Sequence, residues 1–147
     1  VFGIAAADTD LNTGKISHEG YVSVAKQLCD RFHFKKVAIT LRGSLSASVN
    51  DWAGMLYSDG QAVFSPTYRI DIVDRVGGGD SFGGGLIYAL MSGYEDQKAI
   101  NYAIAASCLK HTIEHDFNLV SVSEVENLAG GNASGRVQRS QAWDILQ

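Results

Sequence analysis

The chain has 147 residues, 46% of them hydrophobic, and its 12 basic and 16 acidic residues give a formal net charge of −4. A chain of this size and composition can bury one hydrophobic core, so a single globular unit is expected. The basic residues are scattered and no apolar run approaches the ~20 residues that span a bilayer, so we expect neither nucleic acid nor a membrane as a partner, and we expect a cytoplasmic location.

The first half of the chain predicts a helix, a buried strand and a hairpin. Apolar positions on one face indicate a helix over residues 17–32, which begins at a serine suited to an N-cap. Residues 36–41 form a short continuous apolar run, the pattern of a buried parallel strand. An Asp-Gly pair between residues 51–57 and 61–65 favours a hairpin-like turn, so antiparallel edge structure is predicted there.

The second half predicts an alternation of strands and helices. A strand over residues 68–73 leads into a helix that ends near Ser92, and a second helix rich in small residues covers 95–109. A short helix over 122–128 and a last strand over 136–138 follow. The predicted class is therefore α/β, with a mainly parallel sheet flanked by helices and a small antiparallel hairpin.

Three glycines and a carboxylate join the strand at 68–73 to the helix that follows it. Because Gly77, Gly78 and Gly79 lack Cβ atoms, they can adopt positive φ and allow a ligand close to the backbone. The unpaired N–H groups of the helix's first turn attract an anion such as phosphate. Asp80 adds a base beside that anion, where it could accept a proton from an attacking hydroxyl. The alternative is a tight turn in which Asp80 serves only as a helix cap.

Two further short patterns are typical of metal sites. Residues 8–19 reproduce several positions of a Ca²⁺-binding loop, but Gly14 falls one place late. Residues 111–115, His-Thr-Ile-Glu-His, match an inverted zinc-peptidase motif in which two histidines flank a catalytic glutamate. That site would need a helix through the motif and a third ligand, from Glu124 or Glu126. Patterns of this length recur by chance, so neither metal site is favoured.

The glycine segment also resembles a known family signature. Asp74-Arg-Val-Gly-Gly-Gly-Asp80-Ser-Phe, followed by Gly85, is similar to the C-terminal signature of the ribokinase-like, or pfkB-type, carbohydrate kinases. With residues 39–48 and 110–121, the chain is most similar to the 2-keto-3-deoxygluconate kinases of that family. Such kinases are much longer, so residues 1–147 are expected to be the C-terminal, nucleotide-binding and catalytic part of a single ribokinase-like domain. The N-terminal half and the lid would lie outside this chain.

The resemblance implies an activity and roles for the glycine segment. The reaction would transfer the γ-phosphoryl group of ATP, with Mg²⁺, to a hydroxyl of 2-keto-3-deoxygluconate. Asp80 would be the catalytic base in contact with the sugar, and Gly77, Gly78 and Gly79 would form the anion hole that contacts the nucleotide. The alternatives are a fructokinase-type or ribokinase-type enzyme and, in another class, a nucleotide-binding fragment without turnover.

A second segment of the chain corresponds to the family's nucleotide loop. Thr40, Arg42, Gly43, Ser44 and Ser46 follow the predicted buried strand, and ligands of α/β sheets bind at the carboxyl ends of strands. These residues are therefore candidates for contacts with the phosphates and ribose of the nucleotide. The alternative is an ordinary polar turn.

Three single residues receive roles from the resemblance alone. Ile104 would pack against the adenine, although its place on an apolar helix also suits a core residue. Asp116 would contact the sugar. Asp74 matches a position that binds a monovalent cation in some relatives, whereas a turn-forming aspartate is the alternative. The oligomeric state stays open, a homo-oligomer included.

Overall fold

A computed structural model describes Ile4 and residues 18–44 and 48–131 of the chain. Its helices are α1 (His18–Phe32), α2 (Gly78–Met91), α3 (Asp96–Lys110) and α4 (Val122–Ala129). Its strands are β1 (Lys36–Ser44), β2 (Val49–Ser58), β3 (Gln61–Phe64) and β4 (Tyr68–Asp71). Each helix and strand predicted within these residues is present, with small changes at the ends. The strand predicted at 136–138 lies outside the described residues.

The longest strand, β2, lies at the centre of the sheet. Every residue of β1 pairs with a residue of β2, from Lys36 opposite Ser58 to Ser44 opposite Asn50. On its other edge, the first four residues of β2 pair with β4 and the last four pair with β3. Because β1 and β4 both run antiparallel to β2, their carboxyl ends lie at the same end of the sheet.

The prediction of a mainly parallel sheet is wrong for the described strands, since all three pairings are antiparallel. The apolar run in β1 indicates burial on both faces, but burial does not determine strand direction. Four residues separate β1 from β2, whereas a parallel pair needs a crossover of about a dozen or more. The prediction that the hairpin lies at the edge of the sheet is also wrong for its first strand, which is the central one.

Helices cover the sheet on both faces. α1 packs on one face, where its Ala25 joins a cluster with Leu41 of β1 and Met55 of β2. On the other face, Leu56 of β2 packs against a cluster formed with α2 and α3. That cluster contains Phe82, Ile100, Ala103 and Ile104. The described residues therefore form three layers, which are α1, the sheet, and the helices α2 and α3 on the other face.

α2 and α3 form an antiparallel helical hairpin. The turn between them contains Gly93, whose φ of 78° lies in the left-handed region. Gly85 permits the close approach of the two helices, because a Cβ there would lie 3.1 Å from the Cβ of Ala106 and 3.3 Å from the Cα of Ala103. α4 then packs its Val125 into the cluster beneath α3. The small residues of the hairpin thus set how closely the first turn of α2 lies to the end of α3.

Both cysteines are free thiols, Cys29 on α1 and Cys108 on α3. Burial raises the pKa of Cys108 to about 12, so its thiol stays protonated near neutral pH. None of the helices in residues 18–44 and 48–131 has the length and apolar character needed to cross a membrane.

Candidate active site

The glycine loop, residues 77–79, connects the chain leaving β4 to the first turn of α2. Gly77 is the N-cap of α2, with a φ of 77° in the left-handed region that favours glycine. Its carbonyl accepts a hydrogen bond from the N–H of Ser81 at 2.8 Å. The N–H groups in the first turn of a helix have no acceptor within that helix. The N–H of Gly78 donates to the carbonyl of Arg75 at 3.3 Å, so the donors available to an anion at the start of α2 are those of Gly79 and Asp80.

The three glycines of the loop differ in what surrounds them. A Cβ on Gly77 would collide with the backbone carbonyl of Asp116, and a Cβ on Gly78 would lie 2.5 Å from the ring of His111. A Cβ on Gly79 would meet no atom within 4 Å. Packing therefore requires glycine at the first two positions, whereas the space beside Gly79 is open.

Asp80 lies in the first turn of α2 with an exposed side chain. In the chain it comes directly after Gly79, the glycine with open space beside it. A carboxylate in this position can accept a proton from a hydroxyl group that approaches the same end of the helix. The geometry thus combines an anion-binding helix end with a base.

Asp74 ties the loop to the turn that follows α3. One oxygen of its carboxylate accepts a hydrogen bond from the N–H of Val76 and the other accepts one from the N–H of His115, both at 2.9 Å. The hydrogen bond from Val76 is the main cause that holds the pKa of Asp74 below its ordinary value, with further contributions from His115 and from the charge of Lys110. The N–H of Asp74 donates in turn to the carbonyl of His111 at 3.2 Å.

The carboxyl end of α3 supports the glycine loop from inside. Ser107 is fully buried, and its hydroxyl donates to the carbonyl of Gly78 at 2.8 Å. The indole N–H of Trp52, on β2, donates to the same hydroxyl at 3.0 Å. The ring of His111 lies against Gly78 and 4.9 Å from the Trp52 ring, measured between centroids. Residues on β2 and α3 therefore fix the position of one peptide group of the loop.

The protonation of His111 follows from its surroundings. Its Nδ1 lies 2.7 Å from the carbonyl oxygen of Ser107, which can only accept, so Nδ1 is the donor. Burial is the main cause that lowers the pKa of His111, and the charges of Lys110 and Arg75 lower it further. The imidazole is therefore neutral near neutral pH.

Lys110 is fully buried beneath the loop. Its ammonium group donates to the carbonyl of Ile113 at 3.0 Å. Its Cε would lie 3.2 Å from a Cβ on Gly77. A cation is therefore fixed next to the first glycine of the loop.

The predicted nucleotide segment lies at the end of β1. Thr40 is partly buried, Arg42 is exposed and Gly43 is buried, and Ser44 is the last residue of the strand. Ser46 lies outside the described residues. Because the carboxyl ends of β1 and β4 share one end of the sheet, the segment and the glycine loop leave the sheet at the same end.

A buried amide links the sheet to the loop region at that end. Asn50 lies opposite Ser44 on one side and opposite Ile70 on the other. It is fully buried, and its amide is assigned the orientation that satisfies both of its polar atoms, with the nitrogen donating to the carbonyl of Val49 at 3.2 Å and the oxygen accepting from Arg75 at 3.3 Å.

The two remaining predicted site residues are located differently. Asp116 is exposed, and its backbone carbonyl lies against Gly77, so the segment that contains it lies at the loop. Ile104 is fully buried, and its Cδ1 would lie 3.3 Å from a Cβ on Gly54. Ile104 therefore lies inside the core, away from any surface that a base could reach without movement of its neighbours.

The metal-site patterns of the sequence have different outcomes. The helix that the zinc motif requires ends at Lys110, so residues 111–115 form turns and do not present two histidines on one helical face. No group of three or more His, Cys, Asp or Glu side chains that could hold a metal ion occurs among the described residues. The zinc interpretation is therefore wrong in its structural premise. Of the acidic residues in the calcium pattern, Asp8 and Asp10 lie outside the described residues, and Glu19 lies in the first turn of α1.

Sequence reasoning misses the residues that support the loop. It gives Ser107, Lys110 and His111 no supporting role, and it gives Trp52 no role at all. A signal exists, because three polar residues at relative positions 0, 3 and 4 interrupt the apolar end of α3 on one helical face. The partner on β2 has no such signal, since Trp52 and Ser107 are 55 positions apart in the sequence.

Comparisons with known proteins find similar sequences and similar structures. A family model described as pfkB family carbohydrate kinase matches residues 6–115. A 2-dehydro-3-deoxygalactonokinase of Haloferax volcanii is 29% identical over 133 residues, which cover 90% of this chain and 39% of that protein. The structure of a 2-dehydro-3-deoxygluconokinase of Thermotoga maritima is similar with a TM-score of 0.82 and 47% identity, over 89% of this chain and 38% of that one.

A third similar protein extends the comparison. The structure of a pfkB family carbohydrate kinase of Listeria grayi has a TM-score of 0.71 and 26% identity, over 84% of this chain and 36% of its own. The chain thus spans about two fifths of the length of these relatives. The α/β class and the ribokinase-like fold that the glycine signature predicts are confirmed for this portion.

Proposed function

Because the chain belongs to the pfkB family of carbohydrate kinases, we propose that it supplies the nucleotide-binding and catalytic part of an ATP-dependent sugar kinase. The acceptor we propose is a hydroxyl group of 2-keto-3-deoxygluconate, since a relative named for that activity is 47% identical over most of this chain. The observation that carries the proposal is the open helix end at Gly79 with the exposed carboxylate of Asp80 beside it. We propose that residues 1–147 are the C-terminal part of one domain; that they are a part is supported by their covering about two fifths of these relatives.

The proposed chemistry divides between backbone and side chain. The N–H groups at the start of α2, above all that of Gly79, would stabilise negative charge on the transferred phosphoryl group. Asp80 would accept the proton of the sugar hydroxyl as that oxygen attacks the γ-phosphorus in line with the leaving oxygen of ADP. The protein then contributes positioning and electrostatic stabilisation, and no covalent intermediate with the chain is needed.

We propose Mg²⁺ as the counter-ion of ATP. Such an ion is commonly held by one or two carboxylates together with the substrate's phosphates. The described residues offer no cluster of three or more potential ligands, so phosphate oxygens would make up most of its coordination. When bound, the ion neutralises charge on those phosphates.

The remaining site residues keep their proposed roles. Thr40, Arg42, Gly43, Ser44 and Ser46 would contact the nucleotide, which is supported by the common sheet end of β1 and β4. Ile104 is proposed to pack against the adenine, which would require its neighbours to move because Ile104 is fully buried.

Two acidic residues would serve the other ligands. Asp116 would contact the sugar, and its segment lies against Gly77. Asp74 would bind a monovalent cation with the acceptor capacity that remains beside its two backbone hydrogen bonds. We also propose a cytoplasmic location, which the two free thiols support because reducing compartments keep cysteines unpaired.

The test of this proposal is the Asp80→Asn substitution in the full-length protein. The wild type is expected to phosphorylate 2-keto-3-deoxygluconate with ATP, and the variant is expected to lose about 10³-fold in kcat or more, because an amide cannot accept the proton. ATP binding, measured by calorimetry, should be retained. Near-normal turnover by the variant would remove Asp80 from this role.

A panel of acceptors distinguishes the alternatives. It contains 2-keto-3-deoxygluconate, 2-keto-3-deoxygalactonate, fructose and ribose, the second because of the Haloferax volcanii relative. Phosphorylation of fructose or ribose without phosphorylation of the keto-deoxy acids would replace the proposed substrate. ATP binding without turnover on any acceptor would favour a nucleotide-binding protein that is not an enzyme.

A further inference from the structure

The direction of one hydrogen bond follows from its neighbours. Ser107 lies between the indole N–H of Trp52, at 3.0 Å, and the carbonyl of Gly78, at 2.8 Å. An indole N–H can only donate, so the Ser107 oxygen accepts there. A backbone carbonyl can only accept, so the Ser107 hydrogen points to Gly78. The three groups therefore form a directed chain from Trp52 through Ser107 to Gly78.

This chain continues through a peptide bond. The carbonyl of Gly78 and the N–H of Gly79 belong to one planar trans peptide group, in which they point in opposite directions. A carbonyl held towards Ser107 therefore directs the Gly79 N–H away from α3. The space beside Gly79 is open, since a Cβ there would meet no atom within 4 Å. Gly79 is also exposed and lies in the first turn of α2, so its N–H has no acceptor within the helix and remains available to an anion.

We propose that Ser107 and Trp52 are positioning residues that orient and polarise the Gly79 N–H towards the transferred phosphoryl group. The proposal rests on the kinase function proposed above and adds two residues to it. Because a group that accepts a hydrogen bond becomes a stronger donor, the bond from Ser107 to the Gly78 carbonyl strengthens the Gly79 N–H of the same peptide group as a donor. Neither residue touches the substrate in this arrangement, since each acts through the Gly78–Gly79 peptide group.

His111 holds the same arrangement from the side. Its Nδ1 donates to the backbone carbonyl of Ser107 at 2.7 Å, and its ring packs against Gly78. The ring also lies 4.9 Å from that of Trp52. The imidazole therefore restricts both ends of the hydrogen-bond chain and limits the ways in which the loop peptide can rotate.

The kinetic test uses Ser107→Ala in the full-length protein. Loss of the hydroxyl is expected to lower kcat by roughly 10- to 100-fold, less than the loss of a direct oxyanion-hole donor. The KM for the sugar and the affinity for ADP, which lacks the transferred group, should stay close to the wild-type values. Ser107→Thr retains the hydroxyl and should restore part of kcat.

A matched control removes a similar hydrogen bond at the same helix end. The hydroxyl of Thr112 donates to the carbonyl of Leu109 at 2.7 Å and does not contact the loop. Thr112→Val should leave kcat unchanged. Equal losses of kcat in Ser107→Ala and Thr112→Val, or a wild-type kcat in Ser107→Ala, would overturn the positioning role.

A double-mutant cycle tests the connection to Trp52. Trp52→Phe keeps the ring contact with His111 but removes the N–H donor. It is expected to lower kcat by a smaller factor than Ser107→Ala, and the double variant should resemble Ser107→Ala alone, because both changes break one chain. If the double variant instead lost kcat by the product of the two single losses, Trp52 would not act through Ser107, and its part of the proposal would be wrong.

A measurement without substrate distinguishes failure of this inference from failure of the kinase function. In protein labelled with ¹⁵N-glycine, the Gly79 amide proton is assigned by its loss in Gly79→Ala, a change for which the structure has space. Ser107→Ala should move that resonance upfield, as expected for a weaker donor, and Thr112→Val should not. An unmoved resonance overturns the inference whatever the enzyme activity. A wild-type protein without turnover on any acceptor would instead refute the proposed function.

Discussion

The two faces of the sheet are built from different kinds of residues. The buried cluster beneath α1 consists of hydrophobic residues, with Ala25, Leu41 and Met55 among its members. The face beneath α3 also has an apolar cluster, but the buried polar residues of the described chain lie on that side of the sheet. They are Asn50, Ser58, Ser107, Lys110 and His111.

Because of this difference, one face of the sheet serves only to stabilise the fold, whereas the other face also positions the glycine loop. Burying polar groups costs free energy unless each group is hydrogen-bonded, and an apolar face avoids that cost. On the face beneath α3, Ser58 lies at the far end of β2, opposite Lys36, and the other four buried polar residues lie at the end where the glycine loop begins. The hydrogen bonds of Ser107 and His111 there fix one peptide group of that loop. We therefore expect substitutions beneath α1 to change stability alone, and substitutions beneath α3 to change activity as well.

The largest effect is expected for Gly78→Ala. Its Cβ would lie 2.5 Å from the ring of His111, and the ring is held by Ser107 and Trp52, so the loop must move. Displacement of the loop by about 1 Å should lower kcat about 100-fold. Steady-state kinetics and the thermal unfolding midpoint together measure this loss, and the midpoint should also fall.

Gly79→Ala is the matched control for that change. The open space beside Gly79 accepts a Cβ without a collision, so the unfolding midpoint should stay at or above its wild-type value. Equal destabilisation by the two substitutions would contradict the distinction between a packed and an open glycine.

The next effect is a loss of stability without a loss of turnover. Leu41 is fully buried beneath α1, and Leu41→Ala should lower the free energy of unfolding by about 2–5 kcal/mol because it leaves a cavity. Chemical denaturation measures the change, while kcat and KM below the unfolding transition should match the wild type. Ser23→Ala, on the exposed side of α1, should change stability by less than ~0.5 kcal/mol. A selective loss of kcat in Leu41→Ala would break the contrast between the faces.

The smallest effect is a pH dependence of stability that comes from His111. Burial lowers its folded-state pKa below the ordinary value of 6.5, so the unfolded chain binds more protons between the two values. The contribution of His111 to stability is therefore complete above pH 6.5 and is lost as the pH falls from there through the folded-state pKa.

Denaturation of the wild type and of His111→Gln from about pH 8 to about pH 5 checks this sign. The wild type should lose more stability than the variant as the pH falls. His33→Gln is the control, since His33 is exposed. An identical pH dependence of the wild type and His111→Gln would show that the buried imidazole does not contribute.

Features of the molecule that local sequence determines can be predicted. The first predicted helix, the turn at Asp59-Gly60 and the strand that leads into the glycine loop each depend on neighbouring residues. The structure contains the helix as His18–Phe32, and it contains the turn and the strand. The loop itself can be identified because three glycines and Asp80 occupy consecutive positions at the start of a helix.

Features that depend on distant residues cannot be predicted in the same way. The direction of β1 is decided by its pairing with β2, while its apolar run indicates only burial. The hydrogen bond between Trp52 and Ser107 joins residues 55 positions apart, and no sequence pattern around either residue predicts its partner. The roles assigned to Thr40, Asp116 and the other site residues stay predictions.

The antiparallel arrangement of α2 and α3 has an electrostatic consequence for the loop. The positive end of the α2 macrodipole lies beside the negative end of the α3 macrodipole, which by itself would weaken the attraction of α2 for an anion. Lys110 is the last residue of α3 and is fully buried there. Its ammonium group, bonded to the carbonyl of Ile113, places a positive charge at that negative end. The field of α2 at Gly79 is thus left to act on a phosphate.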